Sequence, residues 1–130
     1  MIYQNNIRSY KPRSYSLNKI VSCLLPDVIN LVETNLRGNV KPVIPNYFAF
    51  NRNRRGQNGG GVCTLVKDKD KDNVLKVSEG QDDQEFIVTR HSQFLIPINI
   101  INVYGEQECR TSKTKMTENW ENIRSIIAKI

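Results

Sequence analysis

Hydrophobic and polar positions in this chain fall into short runs, some with the period of a strand and some with that of a helix. Ile2 to Ile7 reads as a short first strand that ends on Asn5-Asn6-Ile7-Arg8-Ser9. Lys11-Pro12 then breaks the chain, and Ser14 or Ser16 can N-cap a helix running to about Leu25. Leu17, Ile20, Val21 and Leu24 share one face of that helix, the spacing of core packing. Pro26 closes it. Pro26-Asp27-Val28-Ile29-Asn30-Leu31-Val32-Glu33-Thr34 follows, a β-branched apolar run that stops abruptly on a carboxylate. An apolar run bounded by turn residues predicts a strand buried on both faces, with Glu33 delivered at its C-terminal end. Strand, helix and strand form a βαβ unit, so the two strands are parallel and Asn6 and Glu33 leave the sheet at the same edge. In open α/β sheets, that edge is where ligands sit.

The pattern continues through a loop, Leu36 to Pro45, carrying Gly38, Pro42 and Pro45. Tyr47-Phe48-Ala49-Phe50 predicts a short strand, Arg52 to Asn58 a basic turn, and Val62 to Val66 another strand after Gly59-Gly60-Gly61. The glycines are not a Walker loop, because Val62-Cys63 stands where Lys-Ser or Lys-Thr is required. Close backbone approach or a sharp bend is the expectation. Lys67 to Asn73 alternates Lys and Asp, and Asp68, Asp70, Asp72 and Glu79 have the spacing of a calcium-binding loop. Strand-like flanks and the repelling Lys69 and Lys71 make a charged hairpin tip the expectation instead. Gln84 to Arg90 predicts a strand with Phe86 and Val88 inward, followed by His91 as a surface or hairpin residue. Phe94 to Val103 is nearly continuous apolar and predicts a central strand entered through Pro97. Ile96, Ile98 and Ile100 line one face and Ile101 and Val103 the other, so both faces want covering. From about Ser112 a helix is expected, with Trp120, Ile123, Ile127 and Ile130 on its apolar side.

Composition narrows the class. The chain has 130 residues, 38% hydrophobic and 25% charged, enough for one small domain or part of a larger one and unlike a disordered tail. A formal net charge of +6 favours an anionic partner, nucleic acid first, although a bland basic surface has the same composition. The runs such as Phe94 to Ile101 fall far short of the roughly 18 apolar residues a membrane span needs. The N-terminus lacks the basic and apolar regions of a signal peptide. A soluble intracellular chain, nuclear or cytoplasmic and without membrane contact, is expected. Cys23, Cys63 and Cys109 are widely spaced and form no zinc motif, which predicts reduced, mostly buried thiols.

Taken in order, these motifs resemble a family. Asn6 at a strand end, the helix, and the run ending on Glu33-Thr34 resemble the opening of the endonuclease/exonuclease/phosphatase superfamily, the DNase I-like fold. The likeness continues through Arg52 to Arg55, Gly59-Gly60-Gly61-Val62, Glu85-Phe86-Ile87-Val88 and Asn102-Val103-Tyr104-Gly105. It is nearest in character to the apurinic-type endonuclease domain of non-LTR retrotransposons and covers essentially the whole chain. The fold it implies is α/β (α+β): the N-terminal half of a four-layer α/β/β/α sandwich, with residues 1–130 a truncated domain.

The activity it implies is metal-dependent phosphodiester hydrolysis. Asn6 and Glu33 match the family's first metal-site positions, for Mg²⁺ or Mn²⁺, and Tyr104 matches a strand-end tyrosine that contacts the scissile phosphate. Arg52, Arg54, Arg55 and Lys41 are candidates, by charge, for tracking the DNA backbone. Structural alternatives remain open for each: Asn6 in a turn, Glu33 as a solvated strand end, Tyr104 as a half-buried aromatic. The family's later Gly-Asp-x-Asn and Ser-Asp-His motifs do not occur, and His91 is not placed to replace that histidine. Isolated, the chain is expected to be inactive or nearly so, with a sticky or dimerising apolar face. Its expected partners are DNA, the second half of the domain and, in an intact protein, a fused reverse transcriptase. Three readings follow: a truncated retroelement endonuclease, a related phosphatase or phosphodiesterase, and a non-catalytic remnant that binds nucleic acid or another partner.

Overall fold

The computed structural model describes residues 1–54, 59–81, 84–105, 121, 123–125, 128 and 129. Two sheets face each other. The first contains β1 (Ile2–Asn6), β2 (Val28–Val32), β3 (Tyr47–Arg52) and β4 (Val62–Lys67) in the order β1-β2-β4-β3. The second contains β5 (Val74–Glu79), β6 (Phe86–His91) and β7 (Ile98–Val103) in sequence order. β1 and β2 are parallel, with Asn6 opposite Val32, and the remaining pairs are antiparallel. The βαβ prediction is met.

Every residue of β2 is buried, so this strand is the centre of the first sheet. On one side Ile29 and Leu31 pack with Leu17 and Val21 of α1 (Tyr10–Leu24) and with Ile44. On the other, Val28 and Val66 meet Val74, Phe94 and Ile100, while Val32 and Val62 meet Ile87 and Tyr104. The outer face of the second sheet buries Phe86 and Val88 against Ile123, with Ile101 and Val103 alongside. Each fully buried aliphatic side chain contributes about 1.5–3 kcal/mol at most. These contacts stack helix, sheet, sheet and C-terminal helical residues into the expected layers. Ile101 and Val103 lie opposite to Ile100, so both faces of β7 are indeed covered.

A polar pin crosses the sandwich. Asn30 would be an orphan between the sheets. Thr64 Oγ1 donates to Asn30 Oδ1 at 2.8 Å, and Asn102 Nδ2 reaches across from β7 to the carbonyls of Cys63 (2.9 Å) and Leu31 (3.2 Å). Because Leu31 and Cys63 are opposite each other in the register of β2 and β4, one side chain fastens both strands to the second sheet.

Several expectations are corrected. The helix begins at Tyr10, ahead of Pro12, because a proline in the first turn removes only an N–H that has no helical partner anyway. Ser9 precedes it without a side-chain cap, and Leu25 ends it in a left-handed conformation. Leu17 and Val21 are buried as expected, whereas Ile20 and Leu24 are exposed. Asp68–Asn73 is a 3-10 turn linking the two sheets, not a hairpin tip, and it feeds β5, a strand the sequence reading did not anticipate. β7 starts at Ile98, after Pro97, leaving Leu95 and Ile96 exposed. His91 is fully buried. Its Nε2 lies 2.8 Å from Thr89 Oγ1, and burial pushes its pKa below the usual histidine range. Cys63 is buried and Cys23 exposed. Arg55, Cys109, Ser112, Trp120, Ile127 and Ile130 lie outside the described residues. No helix among the described residues is long and apolar enough to cross a membrane.

Candidate active site at the strand ends

The C-terminal ends of β1 and β2 leave the sheet through unusual backbone. Arg8, Ser9, Glu33 and Asn35 all have positive φ, at 50°, 92°, 59° and 55°. Such conformations cost a non-glycine residue on the order of 1–3 kcal/mol and persist where neighbours over-determine them. Here the neighbours are each other. The Ser9 amide donates to the Glu33 carbonyl at 2.8 Å and the Tyr10 amide to the Thr34 carbonyl at 2.9 Å. The Asn35 side chain donates to the Ser9 hydroxyl.

The turn at Glu33 has a chemical consequence. In a regular strand Val32 and Glu33 would face opposite sides of the sheet. The left-handed residue brings both to Tyr104: Val32 packs with its ring, and Tyr104 Oη donates to Glu33 Oε1 at 3.1 Å. That bond joins the two sheets across 71 residues of sequence. Burial first, then the Glu33 carboxylate, holds the Tyr104 phenol above the usual tyrosine range, so it is a protonated donor at neutral pH.

Beside this pair lies a second carboxylate. Glu85 is 4% exposed. Its Oε2 accepts from Arg54 Nη2 at 2.6 Å, and its Oε1 accepts from Arg54 Nε at 3.1 Å and from the Gly61 amide at 2.8 Å. This two-pronged arginine–carboxylate geometry is the strong form of an ion pair. The triple-glycine turn is what admits it. Gly60 has φ +63°, and a Cβ there would come within 2.1 Å of Glu85 Oε1 and 2.5 Å of Arg54 Nε. The expected close backbone approach is thus made to a buried ion pair.

The structure brings together Glu33 and Tyr104, with Asn6 at the adjacent strand end, exposed and opposite Val32 in the register. It does not gather the proposed basic contacts there. Arg52 is 3% exposed and donates to the carbonyls of Gly80 and Asn53, so its guanidinium is spent inside the protein. Arg54 is committed to Glu85. Lys41 Nζ sits 5.8 Å from the ring centroid of Phe48, which pairs with Val66 toward the other end of the sheet. Glu85 was not singled out from the sequence as a site residue. The signal was present: a carboxylate opening a buried strand, and three glycines that need a close neighbour. Among the described residues, no three His, Cys, Asp or Glu side chains converge on one point.

No protein-family model matches the sequence, and no curated protein matches it significantly. Solved structures do match in shape. The AP endonuclease LMAP from Leishmania major is similar at TM-score 0.70 and 18% identity, covering 91% of this chain and 43% of that one. The endonuclease domain of TRAS1, a telomere-specific non-LTR retrotransposon, is similar at TM-score 0.70 and 14% identity, covering 94% and 52%. The 3′ phosphatase NExo from Neisseria, bound to a product DNA hairpin, is similar at TM-score 0.68 and 19% identity, covering 98% and 52%. This chain has the N-terminal part of a DNase I-like fold. The DNase I-like chain spans about half the length of each of these structures. Its two sheets and its α1 layer are therefore the ones the sequence resemblance implied.

Proposed function

We propose that residues 1–130 are the N-terminal portion of a metal-dependent DNA endonuclease of the retrotransposon type, a portion that does not nick DNA by itself. The observation that carries this reading is the Tyr104–Glu33 hydrogen bond at the strand-end edge, which joins the two residues assigned to the scissile phosphate and the metal. The donor set suits a hard cation. Glu33 offers a carboxylate and Asn6 an amide oxygen, and Mg²⁺ or Mn²⁺ takes one or two carboxylates with water and substrate phosphate completing the shell. Such an ion, when bound, supplies positive charge to the phosphoryl oxygen and the leaving alkoxide. Tyr104, held protonated, has a single O–H: it donates to Glu33 in this structure and would turn to a phosphate oxygen, and orient it, when Glu33 is engaged by the ion. Among the described residues no three His, Cys, Asp or Glu side chains gather into one site, and the neighbouring Glu85 carboxylate is engaged by Arg54 and the Gly61 amide, which is why the portion alone is read as inactive. The net charge of +6 supports the DNA backbone as partner.

A second reading, a non-catalytic module that binds nucleic acid or another partner, keeps the net charge of +6 as its support, although Arg52 and Arg54 are engaged within the protein. Supercoiled-plasmid nicking with Mg²⁺, comparing the chain with Glu33→Gln, tests the proposal together with Mg²⁺ titration followed by NMR. The expected result is no nicking by either protein and Mg²⁺-dependent shifts at Glu33 and Tyr104 that Glu33→Gln abolishes. Nicking that Glu33→Gln removes would show that the visible residues suffice and overturn the incomplete-site reading. Salt-sensitive DNA binding without any Mg²⁺ response would favour the binding module.

A further inference from the structure

We propose that Glu85 is a positioning residue: with Arg54 and the glycine turn it forms a clamp that holds Glu33 and Tyr104 in contact. This rests on reading that pair as the functional centre. The argument is one of connectivity. Both partners of the Tyr104–Glu33 bond are tied to Glu85, Tyr104 directly and Glu33 through Gly61 and Thr34. On the Tyr104 side, the Tyr104 amide donates to the Glu85 backbone carbonyl at 2.9 Å. On the Glu33 side, the Glu85 carboxylate accepts from the Gly61 amide at 2.8 Å. The glycine turn in turn offers the Gly61 carbonyl to the Thr34 amide (3.4 Å) and the Gly60 carbonyl to the Asn35 amide (2.8 Å). Thr34 and Asn35 are the residues that fix the exit from left-handed Glu33. One buried residue therefore reaches both ends of a bond between two sheets, by its backbone carbonyl toward Tyr104 and by its carboxylate toward the glycine turn that backs Glu33.

Arg54 makes the clamp tolerable. A carboxylate that is 3% exposed carries a desolvation cost that only close, directed donors offset. The guanidinium supplies two and the Gly61 amide a third. The composition explains two sequence features at once. Arg54 is there to neutralise Glu85, and a glycine is required at position 60 because any side chain would displace the ion pair.

The test uses the 130-residue chain with a ¹⁹F label on the Tyr104 ring, observed at one fixed pH. The readout is how far Glu33→Gln moves the folded-state resonance, first in the native background and then in Gly60→Ala. Gly38→Ala is the control: Gly38 has nearly the same φ, +59°, but open space around its Cβ direction. The clamp predicts that the Glu33→Gln effect falls to roughly a third or less in Gly60→Ala and is kept in Gly38→Ala. Glu85→Gln is the second variant, with the same loss expected. The comparison within each background removes any direct influence of the changed charge on the label. If Gly60→Ala does not fold, Glu85→Gln alone decides. A Glu33→Gln effect undiminished in Glu85→Gln or in folded Gly60→Ala overturns the clamp, leaving Glu85 a stabilising residue only. No Glu33→Gln effect even in the native background would overturn the pairing of Glu33 with Tyr104, and the reading of the site with it.

Discussion

At the edge that carries Glu33 and Tyr104, charge is buried and the backbone is bent; at the opposite edge, around Asp27 and Lys67, charge lies near solvent. Glu85 and Arg54 pair with side-chain exposures of 3% and 17%. Asp27, at 35%, accepts from the N-terminal ammonium at 2.7 Å and from Lys67 at 3.3 Å. The hydrogen bond from the N-terminus is the largest influence holding the Asp27 carboxyl below its usual range. That second edge also holds a cavity of about 640 Å³ lined by Val21, Leu25, Ile44, Pro45, Tyr47 and Lys67. This cavity lies away from Glu33, Tyr104 and Glu85. The contrast shows that an ion pair fixes geometry when water is excluded and decorates a surface when it is not.

The sharpest way to break the contrast is at the buried pair. Glu85→Ala, which deletes the acceptor for Arg54 and Gly61, is expected to cost about 3 kcal/mol in urea unfolding. A cost below about 1 kcal/mol would make the two edges equivalent. Next comes the pin between the sheets. Asn102→Leu keeps the volume but removes the donor to the Leu31 and Cys63 carbonyls, with an expected loss of about 1–3 kcal/mol in the same measurement.

Buried His91 adds a dependence on pH. Its folded pKa lies below the ordinary histidine value of 6.5 because burial disfavours the imidazolium. The unfolded chain therefore binds the proton more readily, and the sign follows: stability is fully present above about pH 6.5 and falls as pH drops toward the folded pKa. Urea midpoints measured through that window should decline in the native chain and decline less in His91→Gln. An identical decline in both would place the acid sensitivity elsewhere. The smallest effect belongs to the exposed edge, where Lys67→Met should change stability by no more than about 0.5 kcal/mol. A larger change would mean that the solvent-facing pair does more than its exposure allows.

Much of this arrangement was legible in the chain. The apolar run ending on Glu33 placed a buried strand correctly because a strand covered on both faces leaves a continuous hydrophobic signal. Asn102-Val103-Tyr104 marked another strand end, and the glycine run announced a close neighbour without naming it. β6 was harder. Phe86 and Val88 were read as inward, and they are buried, but under Ile123 on the outer face of the second sheet; Ile87 and His91 face the other sheet. A strand buried on both faces has no polar side to orient it, so the pattern could not say which alternate set meets which layer. β5, with exposed Leu75 and Val77 among charged neighbours, gave almost no signal.

By itself the sequence determined most of the elements, their parallel start, the edge at which Asn6 and Glu33 emerge and the strand end at Tyr104, because period and strand ends are local properties. Only the tertiary structure decided what became of the charges. Arg54 and Glu85 stand 31 residues apart and Tyr104 and Glu33 stand 71 apart, and no spacing rule connects them. A charged side chain looks the same in a sequence whether water or a buried partner satisfies it. Packing the two sheets removed the water, and that choice turned a basic turn into half of an ion pair.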